Sequence, residues 1–212
     1  MSASVKAPPD PVSIYRDDGP LARALGRVFG AALPLPGAVL ALAALAAVVG
    51  VAAIAGTDVS KLAVTAVLAW VLVAGGASRG SRRRPRLRWA EPALVRATEY
   101  IALIWIAGVH GVSAYPAAYA LLAALTFRHY DLVYRQRFGG METARWVDAL
   151  SGGWDGRLVL AWVLLVASAL PAGFYVLAGL FGVTFVGEAV YAWAVIGRGG
   201  HVFPEDEEGN EL

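Results

Sequence analysis

Long apolar runs separated by short polar segments dominate the chain. Leu35 to Ala55 is apolar throughout; as a helix rising about 1.5 Å per residue it covers about 31 Å, enough to cross a hydrocarbon layer of about 30 Å. Gly56-Thr57-Asp58 punctuates the pattern, and Leu62 to Ser78 makes a shorter second run. Thr98 to Ala114 is the third, preceded by an interfacial turn at Trp89–Arg96. Pro116 opens a fourth whose clean apolar stretch ends at Phe127. That stretch reaches only about 18 Å, so the helix must continue through Arg128, His129 and Asp131. Residues 158–196 hold two more helices, with the turn between them at Pro171-Ala172-Gly173 or at Gly179 to Gly182. The pattern therefore predicts an all-α polytopic membrane bundle of about six transmembrane helices, spanning residues 35–197.

The flanks differ in kind. Residues 1–34 are polar and proline-punctuated, with an amphipathic pattern from Pro20 to about Gly30 that sets Leu21, Leu25, Val28 and Phe29 against Arg23 and Arg27. Such a helix suits a membrane surface. Residues 198–212 form an acidic tail, with Glu205, Asp206, Glu207, Glu208 and Glu211. Under a six-helix topology 17 of the 18 Lys and Arg residues fall on one side of the bilayer, Lys61 being the exception. Short Lys- and Arg-rich loops stay cytoplasmic, so both termini are expected inside a multi-pass protein of the cell's inner (plasma) membrane. Ala53-x-Ala55 resembles a signal-peptide cleavage site, but the preceding apolar run exceeds a typical signal core and reads as an uncleaved helix.

Composition agrees with this assignment. The chain is 58% hydrophobic and 16% charged, against about 25% charged in ordinary soluble domains. The net charge of +2 comes from cations flanking apolar runs, which favours anionic lipid headgroups as partners over nucleic acid. The absence of cysteine excludes a disulfide framework, a thiolate metal site and a cysteine nucleophile.

Candidate chemistry collects where charged residues meet helix ends. Arg128, Asp131 and Arg135 share one helical face, His129 and Tyr134 adjoin it, and Asp155 with Arg157 precedes the fifth helix. Glu188 lies eight residues before Ile196, about 12 Å into the last helix, where a carboxylate needs a partner. A polar cavity among the third to sixth helices is expected. In a functional reading Asp131, Asp155 and Glu188, with Glu99 nearby, hold Mg2+ or Mn2+, while Arg128, Arg135, Arg157 and Tyr134 bind substrate phosphate. Asp131 and His129 are then the catalytic candidates. In a structural reading the same groups form salt bridges and turns at the headgroup level.

The stretches Tyr15-Arg16-Asp17-Asp18-Gly19-Pro20-Leu21-Ala22-Arg23, Arg128-His129-Tyr130-Asp131-Leu132-Val133-Tyr134-Arg135 and Gly152-Gly153-Trp154-Asp155-Gly156-Arg157 resemble an actinobacterial membrane domain of unknown function. That domain accompanies, or is fused to, CDP-alcohol phosphatidyltransferase-type and nucleotidyltransferase-type sequences. The resemblance implies a place in phospholipid or phosphoglycan assembly. Of the transferase signature itself only Asp18-Gly19-x2-Ala22-Arg23 is present, with Tyr15, Pro36 and Leu40 standing where aspartates belong.

Three functions follow as expectations. The first is an integral membrane protein of phospholipid or phospho-alcohol metabolism, carrying out metal-dependent transfer on a phosphate-bearing lipid. The second is a non-catalytic partner or stabilising domain of a membrane CDP-alcohol phosphotransferase. The third is a small proton-coupled transporter using Glu188. Expected partners are membrane lipids together with a membrane transferase or a second copy of the chain.

Overall fold

The computed structural model describes residues 15–33, 35–81, 87–138 and 143–199. The acidic tail and His201 lie outside these, as do the arginines at 82–84. The described residues are helical, without strands: α1 (Pro20–Phe29), α2 (Gly37–Ala55), α3 (Lys61–Gly80), α4 (Glu91–His110), α5 (Tyr115–Phe138), α6 (Arg145–Ser151), α7 (Gly153–Val166) and α8 (Leu170–Gly199). Short 3-10 turns at Arg88–Ala90 and Val112–Ala114 precede α4 and α5.

Five helical stretches are long and apolar enough to cross a membrane: Gly37–Ala55, Lys61–Gly80, Arg88–His110, Arg145–Val166 and Leu170–Ala194. The expected fourth span, α5, is 24 residues long, about 36 Å. Its charged C-terminal part, with Arg128, Asp131 and Arg135, keeps it out of that set, although the helix continues past Phe127 as its short apolar stretch required. The Trp89–Arg96 segment is not a separate interfacial turn. It runs into α4, where Pro92 occupies the first turn and needs no N–H partner.

The last turn falls at Ala167–Ala169, just before Pro171. Gly179 and Gly182 lie inside α8, which runs unbroken for 30 residues. A glycine within a helix costs about 1 kcal/mol without ending it, whereas proline two residues into a helix marks its start. Lys61, the cation outside the expected cytoplasmic segments, ties this turn down: its Nζ donates to the Val166 carbonyl at 3.0 Å and to Ser168 Oγ at 3.2 Å. A cation there also suits the negative C-terminal end of α7.

The α4 span is the central helix, with 56% of its most apolar stretch buried, and α8 is peripheral at 22%. α4 packs against α2, α5 and α7, while α5 lies along α8 and α1 lies on α3. Gly37, Ala41, Ala44 and Val48 form the buried stripe of α2, and their small side chains let neighbouring helices approach. Val64, Leu68 and Val71 from α3 meet Ala102, Leu103 and Ile106 from α4 in the same core. α1 and α3 approach to backbone contact. A Cβ on Gly80 would run into the Gly26 carbonyl, so only glycine fits.

The two ends of the bundle differ. One carries Gly56, Lys61, Tyr115 and Ser168 with little charge; the other gathers Arg16–Gly19, Arg79, Glu91, Glu99, Arg128–Arg135, Asp148–Arg157 and Glu188.

Candidate functional site

The charged end is built around the N-terminus of α1. Its N-cap, Gly19, has no side chain to offer, and Pro20 follows, so the remaining N–H donors of the first turn need an acceptor from elsewhere. Asp155, on the first turn of α7, supplies it. Its Oδ1 accepts from the Gly19 N–H at 2.6 Å and its Oδ2 from the Ala22 N–H at 2.9 Å. Asp155 is fully buried, and a carboxylate at a helix N-terminus also complements the helix dipole.

Gly152, Gly153, Trp154, Asp155 and Arg157 of the Gly152–Arg157 stretch all serve this junction. Gly152 ends α6 in the left-handed conformation, donating to the Ala149 carbonyl. Gly153, with φ of +69°, brings its backbone against Gly19, where a Cβ would collide. The Trp154 N–H donates to the Asp17 carbonyl at 3.1 Å and its indole Nε1–H to Asp18 Oδ1 at 2.8 Å. Arg157, 3% exposed, donates from Nε and Nη2 to the two oxygens of Glu99 at 2.5 and 3.1 Å. The same Nη2 donates to Asp17 Oδ2 at 2.8 Å.

The Tyr15–Arg23 stretch answers from the other side. Buried Arg16 donates to Asp18, Glu91, the Gly75 carbonyl and Ser78. Asp18 accepts in addition from Arg79 at 2.7 Å. Burial by itself would raise the Asp17 carboxyl, but Arg157, His129 and Arg128 outweigh it and hold the group well below the usual carboxylate range. Asp18 is lowered for the same reason, with Arg16, Trp154 and Arg79 overcoming its burial.

The Arg128–Arg135 stretch divides between two places. His129 faces the junction: its Nε2 lies 3.5 Å from Asp17 Oδ2, and its Nδ1 meets the Tyr100 hydroxyl at 2.6 Å. With Nε2 protonated, Nδ1 accepts from the Tyr100 O–H. Arg128 reaches Asp148 on α6 at 2.5 Å and stacks over the Phe185 ring. Arg135 binds both oxygens of Glu188, at 2.7 and 2.5 Å, and Asp131 at 2.7 Å. Glu188 thus has a partner, as its depth demanded, and that partner is the Arg135 guanidinium. Tyr134 is exposed beside Tyr130, their rings 5.0 Å apart.

The three carboxylates singled out as metal ligands are not brought together. Asp131 and Glu188 share Arg135 on the α5–α8 pair, whereas Asp155 caps α1. Among the described residues no three His, Asp or Glu side chains are grouped to hold a metal ion. The arginines expected to face substrate phosphate, Arg128, Arg135 and Arg157, are each at most 3% exposed and are held by carboxylates instead. Sequence reasoning passed over Arg16, Asp17, Asp18 and Trp154 as site residues. For Arg16, Asp17 and Asp18 the signal was present in the dense polar stretch at 15–19, which sits beside a helix start lacking a side-chain cap.

No curated protein and no solved structure matches the chain. Residues 12–211 match a family profile that takes in all three of these interlocked stretches, and the chain belongs to DUF5941, a family of unknown function.

Proposed function

We propose that this chain is a non-catalytic, membrane-embedded module of phospholipid or phospho-alcohol metabolism that binds and stabilises a membrane transferase of the CDP-alcohol type. In this reading six helices cross the plasma membrane, both termini are cytoplasmic, and the charged end is the cytoplasmic one. The bonding of Asp155 carries the argument. A carboxylate that ligates a divalent cation or shuttles a proton must turn oxygen lone pairs toward its substrate, whereas Asp155 is fully buried with each oxygen accepting a backbone N–H of α1. The resemblance of the three stretches to a domain accompanying such transferases supplies the metabolic class. A second reading, transfer chemistry on a phosphate-bearing lipid, draws on the Tyr100–His129–Asp17 chain, a relay of acid–base type.

Co-expression of the chain with CDP-alcohol transferases from the same source tests the proposal. A defined complex in mild detergent is expected, in which the transferase melts at a higher temperature than alone, and Asp155→Asn should lower chain stability and complex recovery together. Transfer from a CDP-activated alcohol or lipid by the purified chain alone, with Mg2+ or Mn2+ supplied, would refute it and favour the catalytic reading.

A further inference from the structure

Arg23 and Arg27 on α1 and Arg79 at the end of α3 line a groove of about 310 Å³ whose floor is the glycine backbone at Gly26 and Gly80. The groove exists because those glycines let the two helices touch, which sets three guanidinium groups around one concavity. Two are held in place by the protein: Arg23 Nε donates to the Gly19 carbonyl at 3.1 Å, and Arg79 Nη1 donates to Asp18 at 2.7 Å. Each keeps further N–H donors, since a guanidinium carries five. Arg27 is exposed and forms no ion pair with any described residue. Asp18, the nearby carboxylate, is shared with Arg16, so the groove is left strongly cationic.

We infer that this groove binds the phosphate of an anionic phospholipid headgroup. Planar guanidinium donors match phosphate oxygens in pairs, and the placement of α1 selects the lipid as the source. Ala22 and Gly26 of α1 are buried against the bundle. Its flank away from the arginines exposes Leu21 and Val28, the latter 64% exposed. A helix with an apolar flank beside a cationic one lies at the boundary of acyl chains and headgroups. The lipid site does not use Asp155, whose bonding carries the partner reading, so either can fail alone.

The test is binding of fluorescent phosphatidylglycerol to the purified full chain in neutral detergent, with phosphatidylcholine as headgroup control. At about the strength of one anionic-surface contact per arginine, the double variant Arg23→Gln/Arg27→Gln should bind phosphatidylglycerol roughly thirtyfold more weakly. Arg27→Gln alone, which breaks no ion pair among the described residues, should keep the melting temperature and lose about fivefold. Arg145→Gln, at an exposed position opening α6, should bind as the unaltered chain does. Unchanged affinity in the double variant, or an equal loss in Arg145→Gln, overturns the site. Displacement of the lipid by an equal concentration of glycerol 3-phosphate overturns the headgroup assignment in favour of a soluble phosphate.

Discussion

Replacing Arg157 by methionine keeps most of the side-chain length and removes a cation shared by two carboxylates. Arg157 makes two bonds to Glu99, one to Asp17 and one to the Ser151 carbonyl at 3.3 Å. Glu99 is fully buried, so the variant strands a carboxylate with no route to water. Removing one partner of a buried ion pair costs about 3–5 kcal/mol. For a chain of this size, about 2–4 °C of melting temperature is lost per kcal/mol, which places the expected drop near about 10 °C. Tryptophan fluorescence during heating in mild detergent reads it out, at several scan rates because irreversible unfolding makes the midpoint rate-dependent. Adding Glu99→Gln to Arg157→Met removes the stranded charge. The double variant should therefore be more stable than the sum of the single effects implies, by a coupling of about 0.5–3 kcal/mol. A melting temperature within about 2 °C of wild type for Arg157→Met, or strict additivity in the double variant, would refute the clamp and leave Arg157 free for ligand.

Two further predictions concern pH and topology. Asp17 and Asp18 have carboxyls depressed in the folded state, so their stabilisation is complete above the unfolded carboxylate value of about 3.9 and is lost as pH falls below it. The melting-temperature difference between the unaltered chain and Asp17→Asn/Asp18→Asn should stay level from about pH 7 to about pH 5 and shrink below about pH 4; a difference already gone by about pH 5 contradicts the assignment. Single cysteines at Gly56 and Ser113 should react with an impermeant thiol reagent added outside intact cells, and one at Ser81 should not. Labelling at Ser81 reverses the proposed orientation.

The helical class, the helices long and apolar enough to cross a membrane and the need of Glu188 for a polar partner are legible in the sequence, because hydropathy and helix rise are local quantities. So is the surface character of α1, whose arginines and apolar residues separate by helical period alone. The pairing of charges is not legible. Arg157 meets Asp17 across 140 positions and Asp155 meets Gly19 across 136, and spacing along the chain carries no information about contacts at that separation. Asp131 and Asp155, alike in residue type and in their place near a helix end, take different roles because α5 turns one toward α8 while α7 turns the other toward α1. Which of the two candidate turns the chain takes was likewise settled only in the structure: Lys61 ties the turn at Ala167–Ala169, and glycines at 179 and 182 weaken α8 without breaking it. Local patterning determined which segments are long and apolar enough to cross a membrane; only the tertiary arrangement decided that the charges at their ends neutralise one another, because a buried ion forces its partner to be whichever opposite charge the fold brings within reach.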